Sequence, residues 1–172
     1  MGWTKLKYSK EEINGAGKVF VNKQSSPEEE KKAIEILDNW RAVHAYPLHI
    51  FQMTLKKKSL KYDKKSLVAQ RLKRVPAILY KLQRIYAGHS RASMKLFQMQ
   101  DLGGCRAIVS DISSSRKLYV EGYLKGDLKH KLVNKKNYID KKNKEEEIEG
   151  PKSDGYRGFH LVYAYKSKRG MN

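Results

Sequence analysis

Gly150-Pro151-Lys152-Ser153-Asp154-Gly155-Tyr156-Arg157-Gly158-Phe159-His160 leads straight into Leu161-Val162-Tyr163-Ala164-Tyr165. The first part is a Pro/Gly turn, where φ is preset by proline and left free by glycine. The second alternates with the period of a strand, predicted over Phe159 to Lys166. Phe159, Leu161, Tyr163 and Tyr165 share one face, and His160, Val162 and Ala164 the other. The strand fixes the direction of what the turn presents: the cation Lys152, the ring of Tyr156, the guanidinium of Arg157 and the imidazole of His160. Such a set can grip a nucleobase by its face and a phosphate by its charge.

Working upstream, Asp101-Leu102-Gly103-Gly104 opens a buried strand, Cys105-Arg106-Ala107-Ile108-Val109. Leu67 to Leu72 reads as another strand. Pro76 opens a helix with Ile78, Leu79, Leu82 and Ile85 inward, and Met94 to Met99 reads as a short helical piece. Ser113-Ser114-Ser115 can cap a helix to about Leu124, and Lys129 to Val133 reads as a strand. Asn134 to Glu149 is a charged loop, and Lys56 to Lys65 a basic connector. Near the N-terminus, Ser9-Lys10-Glu11-Glu12 and Ser26-Pro27-Glu28-Glu29 are capping boxes. The second helix carries the stripe Ala33, Ile36, Leu37 and Trp40. Pro47 restarts the chain into a face of Leu48, Phe51 and Leu55, and His44 and His49 flank it in capping or packing roles. Gly15-Ala16-Gly17-Lys18 lacks the remaining residues of a phosphate loop and has no strand before it, so it reads as helix. Helices first and strands interleaved with helices afterwards predict an α+β (α/β-type) fold with a mixed sheet flanked by helices. The expected organisation is a single domain: N-terminal helices over 1–58 packing on a core over 66–172.

The chain has 172 residues, enough for one domain with a real core. Its 40% hydrophobic and 10% aromatic content excludes wholesale disorder despite 32% charged residues. A net charge of +19, from 37 Lys+Arg against 18 Asp+Glu, has two readings: a polyanionic partner, or a lysine-rich surface that serves solubility. One cysteine, Cys105, excludes a disulfide framework and a cysteine zinc site, and its apolar run favours a small buried side chain. No apolar run reaches about 18 residues, so no membrane contact and a cytoplasmic setting are expected.

Arg71 and Lys73 alternate along a strand, and Lys81 and Arg84 are neighbours on the next helix. The four cations would lie on one side of the fold, either as a solvated surface or as the several donors that a polyphosphate needs. Asp101 at a strand mouth suits Mg2+, which takes one or two carboxylates plus phosphate oxygens, or simply satisfies turn amides. Arg106 inside an apolar strand should be paired or liganded, with an Asp101–Arg106 salt bridge as the competing explanation. Tyr156, after Gly155, can project as a stacking platform. Tyr163 and Tyr165 read as packed aromatics, and His89 and His130 carry no argument.

Arg71-x-Lys73 with Lys81 and Arg84, Asp101-Leu102-Gly103-Gly104-Cys105-Arg106, and Pro151-Lys152-x-x-Gly155-Tyr156-Arg157-Gly158-x-His160 follow one another in order. This pattern resembles the synthetase domain of the RelA/SpoT family, over about Leu67 to Lys166. The family moves the β,γ-pyrophosphate of ATP, with Mg2+, to the 3′-hydroxyl of GDP or GTP, making the alarmones (p)ppGpp. The resemblance implies a nucleotidyltransferase-like fold and site roles. Arg71, Lys73, Lys81, Arg84 and Arg106 would clamp ATP, with Asp101 and Arg106 at the reacting phosphates and Asp101 on Mg2+. Lys152, Tyr156, Arg157 and His160 would hold the acceptor nucleotide.

Trp40-Arg41-Ala42-Val43-His44-Ala45-Tyr46-Pro47-Leu48 and Ala16-Gly17-Lys18 look similar to small stand-alone members. Some of those are toxins paired with antitoxin proteins, and certain ones pyrophosphorylate the tRNA 3′ CCA end. The positive charge fits a tRNA acceptor as well as GDP. The family often has Ser where this chain has Ala77, which removes one polar phosphate contact. It also continues into a strand bearing Glu-x-Gln-x-Arg, and this chain stops at Asn172 before it. The expectation is therefore a C-terminally truncated member, or a catalytically silent nucleotide- or RNA-binding fragment; oligomers are an open expectation.

Overall fold

Two serines start the first two helices of the computed structural model, which describes residues 2–22, 24–84, 95–141 and 148–166, without the side chain of Arg84. Ser9 caps α1 (Lys10–Val19) and Ser26 caps α2 (Pro27–Val43). Each hydroxyl accepts from the amide three residues on, at 3.2 Å, and Glu12 or Glu29 returns a bond to the cap amide at 2.8 Å. Both capping boxes therefore form as the sequence requires. His44 caps the end of α2, and its Nδ1 bonds the Trp40 carbonyl at 2.7 Å. Burial lowers the pKa of its imidazole, against the raising effect of that carbonyl.

α3 (Ala45–Tyr62) takes Pro47 in its first turn, where the missing amide proton is not needed. It runs on through Lys56–Tyr62, so the expected basic connector is helix instead. Ser59 is buried while Lys56, Lys57 and Lys61 are exposed, and a run of long-chain lysines is a good solvated helix face. After it come β1 (Leu67–Leu72), α4 (Val75–Arg84), a 3-10 turn at Leu96–Gln98 and β2 (Gly103–Ile108). α5 (Ile112–Lys117) passes into a π-helical stretch, Leu118–Leu124. Its cap is Asp111, whose carboxylate accepts from the Ser114 amide at 2.7 Å, and not the serine run. β3 (Lys131–Asn137) and β4 (Phe159–Ala164) complete an α+β chain. β3 takes in Asn134–Asn137 of the expected loop, and residues 142–147 of that loop lie outside the described residues, as do Ile85, His89 and Met94.

Among the described residues the strands form two two-stranded sheets, β1 with β2 and β3 with β4, in place of the single mixed sheet expected. The chain divides into two compact units, Met1–Gln52 with Ala69–Arg106, and Met53–Val68 with Ala107–Asn172. In the first unit Ile13, Leu37, Ile78, Leu82 and Leu96 are fully buried in one core, with Ala33, Ile36 and Leu102 around them. Gly17 is required by that core: a Cβ there would stand 2.8 Å from the Cβ of Leu96. In the second unit β3 and β4 are antiparallel, from Lys131 opposite Ala164 to Asn137 opposite Phe159, with an irregularity between Leu132 and Asn134. Tyr119 stacks on Phe159 at 4.0 Å and Tyr123 lies 6.1 Å from Tyr163, so the predicted apolar face of β4 is packed by aromatics. No helix among the described residues is long and apolar enough to cross a membrane.

Candidate functional site

Each unit gathers its own part of the sequence-predicted residues. In the first, β1 ends at Leu72 and its pairing is carried one step further by the Lys73 amide, which donates to the Leu102 carbonyl at 2.7 Å. Arg41 Nε donates to the Lys73 carbonyl at 2.9 Å and fixes the turn into α4. α4 buries Ile78 and Leu82 and packs Val75 and Leu79 on the core. That stripe leaves Ala77, Tyr80 and Lys81 on the other side of the helix. Lys73, Ala77, Tyr80, Lys81 and Asp101 line an open hollow of about 360 Å³.

At this hollow Lys73 Nζ lies 3.1 Å from Asp101 Oδ2, and Lys81 Nζ lies 2.8 Å from Asp101 Oδ1. Partial burial would raise the Asp101 carboxyl, but the hydrogen bonds from Lys81 and Lys73 outweigh it and hold its pKa below the usual value. Asp101 therefore neither satisfies turn amides alone nor pairs with Arg106 in the way the sequence left open; its partners are two lysines. Arg106 has a partner, as expected, but burial is not the reason: β2 alternates in exposure, and Arg106 stands on the exposed side with Gly104 and Ile108. Arg71 is exposed on β1, whereas Lys73 is largely covered, and neither Arg71 nor Arg106 lines the hollow. Arg84 ends α4, three residues past Lys81. Ala77 lines the hollow too, with a methyl group only.

Cys105 is half-buried behind this strand, its Sγ 3.5 Å from the Leu48 carbonyl, and burial pushes its pKa up to about 11. It is a packing residue, as expected.

In the second unit the loop before β4 holds a compact ring cluster. Gly150 and Gly155 have φ of 81° and 83°, the left-handed region that favours glycine. The Gly155 amide donates to the Lys152 carbonyl at 3.1 Å, and Asp154 accepts from the Tyr156 amide at 2.9 Å. The Tyr156 hydroxyl and His160 Nε2 are 2.7 Å apart. Gly158 makes room for this, since a Cβ there would meet the Tyr156 hydroxyl at 2.9 Å. Tyr138, anchored by its amide on the Gly158 carbonyl at 2.9 Å, sets its ring edge-on to Tyr156 at 5.9 Å and to His160 at 5.0 Å. Lys152 Nζ lies over both tyrosines, 4.7 Å from the Tyr138 ring and 5.5 Å from Tyr156. Arg157 turns back on its own loop, donating to the carbonyls of Lys152 and Tyr156 at 3.2 and 2.9 Å. It braces the turn.

Two side chains in these clusters were not singled out from sequence. Tyr80 could have been found as the α4 ring outside the 75/78/79/82 stripe. Tyr138 follows β3, which runs on to Asn137 past the end at Val133 that the sequence predicts. Among the described residues no group of three or more His, Cys, Asp or Glu side chains comes together. A lone carboxylate of the Asp101 kind still fits Mg2+, whose other ligands are phosphate oxygens and water. No protein-family model and no curated protein matches the chain.

Proposed function

We propose that the protein is an ATP-dependent pyrophosphokinase of the RelA/SpoT synthetase type, cytoplasmic, with GDP or GTP as acceptor. The observation that carries this reading is the hollow, where two lysines converge on one aspartate beside the end of β1. Lysines of this kind offer point charges to a polyphosphate, and Arg71, Arg84 and Arg106 would add forked donors at its edge. Asp101 would hold Mg2+, which when bound neutralises charge on the phosphates. In the second unit the rings of Tyr156 and Tyr138 would take the acceptor's base, with Lys152 and His160 on its phosphates and Arg157 shaping the loop. A nucleotidyltransferase-like fold belongs to the same reading.

The chemistry asks little covalent work of the protein. A new bond forms between the acceptor 3′ oxygen and the β-phosphorus, the α,β-bridging bond of ATP breaks, AMP leaves and the hydroxyl proton is released. Positioning and charge neutralisation supply the rate. The net charge of +19 favours one second reading, a toxin that pyrophosphorylates the tRNA 3′ end and is held by an antitoxin. Incubation with γ-labelled ATP and GDP, GTP or tRNA separates the two by which acceptor carries label. Label on none of them, with ATP still bound, leaves a silent nucleotide-binding protein. Tyr156→Ala should abolish transfer to a guanine nucleotide; full activity in that variant would remove the stacking role.

A further inference from the structure

The Tyr138 ring stands among Tyr156, His160 and Lys152, yet it belongs to the first residue after β3, where a chain leaving a ladder is free to turn. What fixes it is a second network, outside the rings. Asn137, the last residue of β3, pairs with Phe159, and its carbonyl accepts the Glu149 and Gly150 amides, both at 3.1 Å. Its side-chain oxygen accepts from the Ile139 and Asp140 amides at 2.9 and 3.2 Å, an Asx turn that carries the backbone around Tyr138. Its side-chain nitrogen donates to Asp140 Oδ2 at 2.7 Å. With the ends of that amide exchanged, donors would face donors and an oxygen would face the carboxylate, so only one orientation serves.

Asp140 in turn takes the fork of Arg116, with Nη1 on Oδ2 at 2.9 Å and Nη2 on Oδ1 at 2.6 Å. A fork on a carboxylate fixes direction as well as distance, which the point charge of a lysine does not. Arg116 lies on α5, and three residues past it Tyr119 stacks on Phe159 at 4.0 Å. One helical segment therefore holds both strands of the β3–β4 pair where they open into the ring-bearing loop. An ion pair that is 47% and 30% exposed adds little stability by itself. Its placement sets it apart, since it fastens the turn under Tyr138 to a helix 24 residues away in the chain.

We propose that Arg116 is a positioning residue of the acceptor site: its fork on Asp140 locks the Asn137 turn and so holds the Tyr138 ring where Tyr156, His160 and Lys152 gather around it. The proposal rests on the reading of this ring cluster as the acceptor site. It adds a residue that acts through Asp140 and not on the nucleotide itself.

Two readouts on the full chain test it. The first needs no ligand: fluorine NMR of protein carrying 3-fluorotyrosine at its 11 tyrosines, with the Tyr138 line assigned by its loss in Tyr138→Phe. Arg116→Lys, which keeps the charge and loses the fork, and Asp140→Asn should each shift or broaden that line and leave those of Tyr8 and Tyr46 in place. The second is the acceptor. The Kd for GDP in a calorimetric titration, and the KM for GDP, should rise roughly 2- to 5-fold in either variant. The KM for ATP, and kcat at saturating GDP, should not change. A pair that served only the fold would move both KM values and kcat together, or none of them. If the Tyr138 line stays in place in both variants, the positioning role is wrong, whatever happens to GDP. If the line moves and GDP affinity does not, the network shapes the turn without serving the acceptor, and the proposal is overturned. If the wild type binds no GDP, the acceptor reading itself fails and takes the proposal with it. Arg116→Lys keeps the test decisive should Asp140→Asn misfold.

Discussion

Replacing Asp101 by Asn should tighten the grip of the hollow on a metal-free polyphosphate. The carboxylate holds both ammonium groups, at 3.1 and 2.8 Å, and a phosphate that bonds the same lysines must come within about 5 Å of it. Two like charges at that distance repel by about 0.8 kcal/mol in water and about 3 kcal/mol at an effective dielectric of 20. The Asp101 side chain is 48% exposed, which places the repulsion toward the lower value, about 1–2 kcal/mol. Release of the lysines from their present partner adds at most about 1 kcal/mol for each such half-exposed pair. The two contributions together, about 1–4 kcal/mol, give Asp101→Asn a gain of roughly 5-fold to several hundred-fold for tripolyphosphate in chelator-containing buffer. With Mg2+ the order should reverse, because the variant loses the carboxylate that fits the ion. Titration calorimetry at low ionic strength, with and without Mg2+, reads both signs. Weaker metal-free binding by Asp101→Asn would refute the reasoning, since the carboxylate would then be helping the phosphate site and not competing with it. The same variant should also lose about 1 kcal/mol of stability, a fall of roughly 2–4 °C in Tm. The folded pKa of Asp101 is depressed, so its contribution is present above the unfolded value of about 3.9 and is lost as pH falls through the folded value.

Two glycines on α1 should respond with opposite sign. Gly15→Ala meets nothing within 4 Å and should stabilise by up to about 1 kcal/mol, whereas Gly17→Ala meets Leu96 Cβ at 2.8 Å and should cost about 1–3 kcal/mol of overpacking, less the same helix gain. Urea denaturation of both variants checks this, and equal shifts would mean that α1 does not seat against the 96–98 turn. Burial lowers the pKa of the His44 imidazole below the unfolded value of about 6.5, against the raising effect of the Trp40 carbonyl. Stability should therefore rise with pH from the lowered folded value up to about the unfolded one and level off above it, and His44→Gln should flatten that slope; parallel urea-midpoint profiles would deny His44 this role. Cys105, with its pKa at about 11, should react with iodoacetamide at pH 8 far more slowly in the native protein than after unfolding; equal rates would show the thiol to be open.

What could be read from the chain follows the range of the interactions involved. The capping boxes at Ser9 and Ser26 and the extent of β1 are local chemistry, and they stand where the sequence puts them. The lysine run 56–61 reads as a connector because its charge hides the helix period, although Ser59 occupies the buried side. Arg106 reads as interior because its neighbours are apolar, but a strand's two faces are indistinguishable until something packs on one of them. The pairing of Asp101 spans 20 residues to Lys81 and 28 to Lys73, and no local pattern chooses between these and Arg106.

The two clusters share one electrostatic habit. Lys73 and Lys81 rest on Asp101, and Lys152 rests on the faces of Tyr138 and Tyr156. A half-exposed ion pair is worth about 0–1 kcal/mol and an exposed cation–π contact about 0.5–1 kcal/mol. These are holds that a polyphosphate, with several charges and no comparable desolvation to overcome at an open site, can outbid. A cation fixed by a strong buried pair could not change partner, and one left wholly solvated would have to be ordered at the moment of binding. Weak internal partners keep the side chains near the positions a ligand would use. They also keep a chain of net charge +19 from concentrating unpaired cations at its two ring-bearing sites. On this argument the internal partners, one carboxylate and two tyrosine faces, are stand-ins for the ligand groups that would replace them, which is why the removal of Asp101 should raise metal-free polyphosphate affinity instead of lowering it.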